Sequence, residues 1–295
     1  MRGILLAAVL LVGLAGGRGL AAQAEDGSAG ARSAALAALF KDMWEDRLQR
    51  NPEFASALGD LRYGDQVTDL SPSAFNEDLA RQRQFLMRLA MIDTTGLSAL
   101  DRLKAGLMQQ ELFEAEDGAK FKEWEMPVNR CSDIEGDMAA DVSKYPFATV
   151  KDYDDYIARL KKYPGELRQA TGNMLTGIDD GRVQPVDVLE KALKQAEEIG
   201  GQTPEESVFA APLKRFPATV GSAADRKRIS PEMLDAIQNE VLPAYVRFAN
   251  FLRAAEIPAA QKGAGVLPAK ENDEYVAFCA KRAATWQKMV ELRAR

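Results

Sequence analysis

Apolar residues recurring at three- and four-residue steps, punctuated by proline and glycine, confine this chain to a packing of helices. Leu36, Leu39, Phe40, Met43, Trp44 and Leu48 share one helical face. Asn51-Pro52 and Ser71-Pro72 each pair a capping residue with a first-turn proline, and Gly59 closes the short helix between them. Phe75, Leu79, Leu86 and Leu89 form the inward stripe of the next helix. Ser98 and Asp101 resemble a capping box ahead of Leu100, Leu103 and Leu107, a unit that Gly118 ends. Further helices follow from Thr149, separated by Tyr163-Pro164, Gly181 and Gly200-Gly201. Inward faces there are Tyr153, Tyr156, Ile157 and Leu160, then Leu167, Met174, Leu175 and Ile178, then Val186, Leu189, Leu193 and Ala196.

Ser230-Pro231 is expected to cap a long helix carrying Leu234, Ile237, Val241, Tyr245, Phe248 and Leu252, which Pro243 should kink. Gly263 to Pro268 reads as a turn. A last helix from about Asn272 carries Tyr275, Phe278, Cys279, Trp286 and Met289. Two stretches lack a clean period. Phe121 to Phe147 reads as a long structured loop with a short strand pair near Trp124 to Asn129, and Thr203 to Ala224 as mostly irregular. Strand alternation and solenoid repeats are absent from the sequence. The expected fold is therefore all-α, a multi-helix array with long irregular loops, forming a single helical domain over residues 33–295.

Residues 1–24 read as a secretory signal: Arg2, an apolar stretch from Ile4 to Leu14 too short to span a bilayer, and the small-x-small site Ala22-Gln23-Ala24. Residues 25–32 read as a flexible leader, and the expected location is periplasmic or secreted. The chain carries 46% hydrophobic and 28% charged residues, values of an ordinary globular protein. Its formal charge of −6 becomes −8 once Arg2 and Arg18 leave with the signal. An acidic chain without a basic stripe argues against nucleic acid and anionic lipid as partners. Cys131 and Cys279 allow either a disulfide or two buried thiols.

The sequence contains no histidine. That removes the imidazole general base, the Ser-His and Cys-His pairs, and the H-E-x-x-H zinc helix. It also holds no G-x-S-x-G, no S-x-x-K, no phosphate-binding G-x-x-x-x-G-K and no C-x-x-C. Carboxylates remain. Asp133, Glu135, Asp137 and Asp141 cluster in the long loop, with Gly136 misplaced for an EF-hand, so a solvated acidic loop is preferred to a calcium site. Glu111 with Glu114, and Asp152 with Asp155, share helix faces, a spacing that alone does not establish acid catalysis. Tyr153, Tyr156 and Tyr163 read as core before they read as a ligand groove. No catalytic, cofactor-binding or metal-binding residue is assigned.

Several segments in order resemble one bacterial family. They are Trp44-Glu45-Asp46-Arg47-Leu48, Asn51-Pro52-Glu53-Phe54-Ala55, Leu58-Gly59-Asp60, Arg62-Tyr63 and Thr68-Asp69-Leu70-Ser71. Further on come Trp124-Glu125-Met126-Pro127-Val128-Asn129, Tyr145-Pro146-Phe147, Ser207-Val208-Phe209, Pro212-Leu213-Lys214-Arg215-Phe216-Pro217 and Glu240-Val241-Leu242-Pro243-Ala244-Tyr245. From about Phe40 to about Phe278 the chain resembles proteins carrying domain of unknown function 885. The resemblance implies a relative of exported, helical, zincin-type metallopeptidases. Their zinc segment, a His-Glu pair followed by Pro-Gly-His, belongs to a carboxy-terminal half that this chain does not reach. Where the family has Arg-His-Thr, this chain reads Arg282-Ala283-Ala284-Thr285, so no metal ligand carries over. The resemblance thus implies an amino-terminal half without peptidase activity of its own. The alternatives are a peptide-binding or partner-complementing helical module and, independent of the family, a metal-independent acid hydrolase. A half-protein is expected to expose apolar faces and to self-associate.

Overall fold

Four helix starts in this protein coincide with side chains that cap backbone N–H groups, whereas Asn51, expected as a cap, makes no side-chain cap bond ahead of Pro52. In the computed structural model, which describes residues 17–129, 132–217, 219–263 and 269–293, Ser71 accepts from the Ala74 N–H and Ser98 from the Asp101 N–H. Thr149 with Asp152, and Ser222 with Asp225, form reciprocal capping boxes. Between these starts run α1 (Gly17–Arg50), α2 (Pro52–Ala57), α3 (Pro72–Ala90) and α4 (Ala99–Gly118). A two-residue ladder follows, β1 (Val128–Asn129) against β2 (Ser132–Asp133), antiparallel with Val128 opposite Asp133. Then come α5 (Ile134–Asp141), α6 (Val150–Leu160), α7 (Tyr163–Asp180), α8 (Val186–Gly200) and α9 (Ala211–Lys214). The chain continues with α10 (Ala223–Ala236), α11 (Leu242–Phe251), α12 (Ile257–Gln261) and α13 (Ala269–Arg293). The fold is all-α, as expected.

Two apolar cores organise these helices. The larger gathers α6, α7, α8 and α10 to α12 around Tyr153, Tyr163, Leu189, Phe209, Ile229, Ile237, Tyr245 and Phe248. The smaller joins α1, α3 and α4 through Leu36, Leu39, Leu89, Leu97, Ala105, Met108 and Leu112. A third cluster, Phe121, Met126, Tyr275, Phe278 and Cys279, seats α13 on the segment that follows α4. Cys279 is disulfide-bonded. Cys131, the other cysteine of the sequence, lies outside the described residues.

Several expectations need correction. The long helix begins at Ala223, not at Ser230-Pro231. The Ser222–Asp225 box satisfies its first donors, and Pro231 sits inside α10. Thr203 to Ala224 is mostly irregular, as expected, and contains the short α9. Pro243 produces a π-turn (Ile237–Val241) just before it, and Pro258 follows a second one (Leu252–Glu256). One extra residue per turn moves the opposing carbonyl away from a ring that lacks an N–H. The loop from Phe121 to Phe147 contains the expected short ladder but also α5. The stretch 25–32 lies within α1, where Arg32 donates to the Thr95 carbonyl at 2.7 Å and faces Asp93 at 3.5 Å.

On α4 the buried face is Ala105, Met108 and Leu112, whereas Leu100 and Leu103 are half exposed. Leu175 on α7 also faces outward. Met87 and Met91, at the end of α3, are more exposed still. The apolar stretch from Ile4 to Leu14, the turn residues 264–268, and the side chains of Trp286 and Met289 lie outside the described residues. Among the described residues no helix is long and apolar enough to cross a membrane.

Candidate functional site

The last turns of α1 project Met43, Asp46, Arg47 and Arg50 to one side, at helical steps of three and four. Opposite them α3 presents Phe75, Asp78, Leu79, Gln82 and Phe85, and α4 presents Glu111, Glu114, Ala115 and Gly118. Across the top, α13 contributes Phe278, Arg282 and Thr285, and the segment after α4 contributes Lys122, Glu123 and Trp124. Together they line an open cleft of about 790 Å³, within the usual size range of small-ligand and peptide-side-chain sites. Gly118 sets its depth. A Cβ there would lie 2.5 Å from the Phe278 ring, so only glycine lets α13 approach α4 this closely.

Most charge in the cleft is internally matched. Arg47 pairs with Glu111. Arg50 holds Asp46 at 2.6 Å and also reaches Asp78, while the Arg81 Nε lies 3.3 Å from Asp46. Arg282 pairs with Glu123, whose other oxygen accepts from the Tyr275 hydroxyl at 3.0 Å. Burial pulls the Arg47 guanidinium down to about 10, which leaves it protonated at neutral pH. Glu114 differs from these groups. It is 1% exposed, and its Oε1 accepts from the Thr285 Oγ1 at 2.9 Å and the Gln110 Nε2 at 2.9 Å. Lys281, itself largely exposed, stands 3.7 Å from that oxygen. The Glu114 Oε2 is buried and has no hydrogen-bond partner.

A second polar centre lies within the larger core. Arg159, 1% exposed, donates to the carbonyls of Pro52 at 3.1 Å, Tyr63 at 2.8 Å and Gln66 at 2.7 Å, and to the Ser56 Oγ at 2.9 Å. Its guanidinium also stacks 5.0 Å from the Tyr145 ring centre. Glu53 accepts from the N–H and hydroxyl of Thr68 at 3.2 and 2.7 Å. Burial, reinforced by the charge of Glu53, raises Glu166 well above the usual carboxylate range. This centre ties α2 and the turn after it to α6. Arg159 spends its donors mainly on backbone carbonyls, so the centre reads as structural.

Of the residues weighed from sequence, Glu111 and Glu114 meet in the cleft. Asp152 caps α6 and Asp155 pairs with Lys151, both at the surface. Tyr153, Tyr156 and Tyr163 are buried in the core, where the Tyr156 hydroxyl donates to the Phe209 carbonyl at 3.1 Å. Asp141 binds Lys144 at 2.7 Å, and the side chains of Asp133, Glu135 and Asp137 lie outside the described residues. Sequence reasoning missed the Asp46, Arg47, Arg50 and Asp78 network and the anchoring role of Arg159. Arg159 was within reach: it sits three residues after Tyr156 and four before Tyr163, a charge on an otherwise aromatic face. Among the described residues, no group of three or more Cys, Asp or Glu side chains is placed to hold a metal ion.

Fold and cleft together define an all-helical protein whose outstanding surface feature is an open, charge-matched groove between four of its helices. The chain belongs to a family of bacterial proteins of unknown function, DUF885, whose family model matches residues 52–285. That span agrees with the resemblance read from about Phe40 to about Phe278. No curated protein matches the chain.

Proposed function

We propose that this chain is an exported helical binding module that takes an extended peptide segment in the cleft between α1, α3, α4 and α13, and that it performs no zinc-peptidase chemistry of its own. The cleft carries the proposal. Its walls alternate aromatic rings (Phe75, Phe85, Trp124, Phe278) with ion pairs already held in place. Apolar faces interleaved with fixed polar groups suit a polypeptide, whose side chains and backbone need both kinds of contact. Fixed pairs lose little side-chain freedom when a ligand arrives. A chain without histidine lacks the imidazoles that the zinc segment of zincin-type relatives requires. The resemblance to zincin-type peptidases and a peptide-binding cleft nevertheless fit together, since recognition of an extended chain precedes its cleavage.

Trp124 supplies the test. Blocked pentapeptides differing only at the central residue are titrated while indole emission is followed, with Trp124→Phe separating its signal from that of Trp44 and Trp286. Saturable change that vanishes in the variant is the expected result. A set in which no peptide saturates, or peptide cleavage that a chelator abolishes, overturns the reading. A second reading, self-association through an exposed apolar surface, is favoured by Met91, 86% exposed, with Met87, Leu100 and Leu103 also exposed on α3 and α4. Monomeric behaviour of M87S/M91S where the wild-type chain self-associates is its expected signature.

A further inference from the structure

We infer that Glu114 forms a cation subsite within the cleft, selecting a peptide side chain that ends in an ammonium or guanidinium group. The inference rests on the peptide-binding reading above. A carboxyl group 1% exposed at the base of a cleft is costly to keep unless something satisfies it. Thr285 and Gln110 satisfy Oε1 alone. Oε2 has no hydrogen-bond partner. The Asp78 Oδ1 also lacks a hydrogen bond but is met by Arg50, and the other acidic groups lining the cleft are engaged: Asp46 by Arg50, Glu111 by Arg47, Glu123 by Arg282 and Tyr275. The four cations Arg47, Arg50, Lys122 and Arg282 are likewise matched, Lys122 by Glu125 and Asp180. The open demand in the cleft is therefore for positive charge at one oxygen.

The molecule supplies its own stand-in. The Lys281 ammonium lies 3.7 Å from the Glu114 Oε1, at ion-pair rather than hydrogen-bond distance, on a side chain that is 55% exposed. An ammonium therefore reaches this carboxyl from solvent, and Lys281 is free to swing away at small cost because it gives up only a long, loosely held contact. Lys281 is not among the residues lining the cleft and meets Oε1, so it partly neutralises the carboxyl that a ligand cation meets from the cleft side at Oε2. Hydrogen bonds from Thr285 and Gln110 position the carboxyl without filling its second oxygen, as a recognition group requires.

The experiment compares Ac-Ala-Ala-Lys-Ala-Ala-NH2 with its norleucine analogue, whose side chain has similar length and no charge, by calorimetry and by Trp124 emission. The lysine peptide is expected to bind at least about tenfold more tightly, the scale of one charge-assisted hydrogen bond. In Glu114→Gln the ratio of the two affinities should fall towards one. In Lys281→Met, affinity for the lysine peptide should rise severalfold, a gain that a merely structural Glu114 does not produce and that does not depend on Glu114→Gln folding. Equal binding of both peptides to the wild-type chain overturns the subsite while leaving peptide binding intact. Unchanged lysine-peptide affinity in Lys281→Met overturns it as well. Failure of both peptides to bind removes the subsite and the binding reading together.

Discussion

Replacing Glu256 with glutamine should flatten the dependence of stability on pH. Glu256 is 2% exposed at the end of the second π-turn, and its Oε2 has no hydrogen-bond partner. Burial alone raises its carboxyl from 4.5 to about 8. The folded protein therefore holds a proton that the unfolded chain releases near 4.5, and between those values the folded state binds more protons than the unfolded one. Stability must fall as pH rises through that window and level off above about 8. At about 1.4 kcal/mol per pH unit, the gap between 4.5 and about 8 corresponds to an upper bound of about 5 kcal/mol. That is a large share of the ~5–15 kcal/mol typical of a folded domain. Urea melts of wild type and Glu256→Gln between pH 5 and 9 isolate the group, because Glu166 and every other titrating residue are common to both proteins. The difference should grow in favour of the variant by as much as about 1.4 kcal/mol per pH unit and then saturate. Parallel stability curves would refute the reasoning, since they would mean that Glu256 ionises in the folded state as freely as in the unfolded chain.

Arg159→Met should cost about 3–5 kcal/mol, measured by chemical denaturation, because it removes four charge-assisted hydrogen bonds at once and leaves the Gln66 carbonyl without its donor, while Pro52, Ser56 and Tyr63 each keep one other bond. Gly177→Ala should lower the melting temperature, at a cost of about 1–3 kcal/mol, because the new Cβ would lie 2.6 Å from the Glu125 carbonyl oxygen and 2.9 Å from that of Arg182. Backbone at both positions leaves no flexible side chain to give way.

Helix existence was largely legible, and helix faces less so. Ser71, Ser98 and Thr149 mark real starts because a hydroxyl bonded to an amide three residues ahead is a local event. Ser230-Pro231 misled for the same local reason: the motif is a good start, but Ser222, eight residues upstream, forms a better one with Asp225. Leu100, Leu103 and Leu175 fit an apolar period yet face outward, because period identifies a stripe without saying what lies opposite it. The cleft was hardly visible. Glu111 and Glu114 could be named as a pair on one helix, but Arg47 and Thr285 reach them from two other helices.

What the residue order settled is what depends on neighbours along the chain: helical class, most boundaries, and the exclusion of imidazole chemistry. The groove, the unfilled oxygen of Glu114 and the proton held by Glu256 arise where helices distant in sequence meet. Burial and Coulomb interaction act through space, and distance through space is fixed only once the helices have packed.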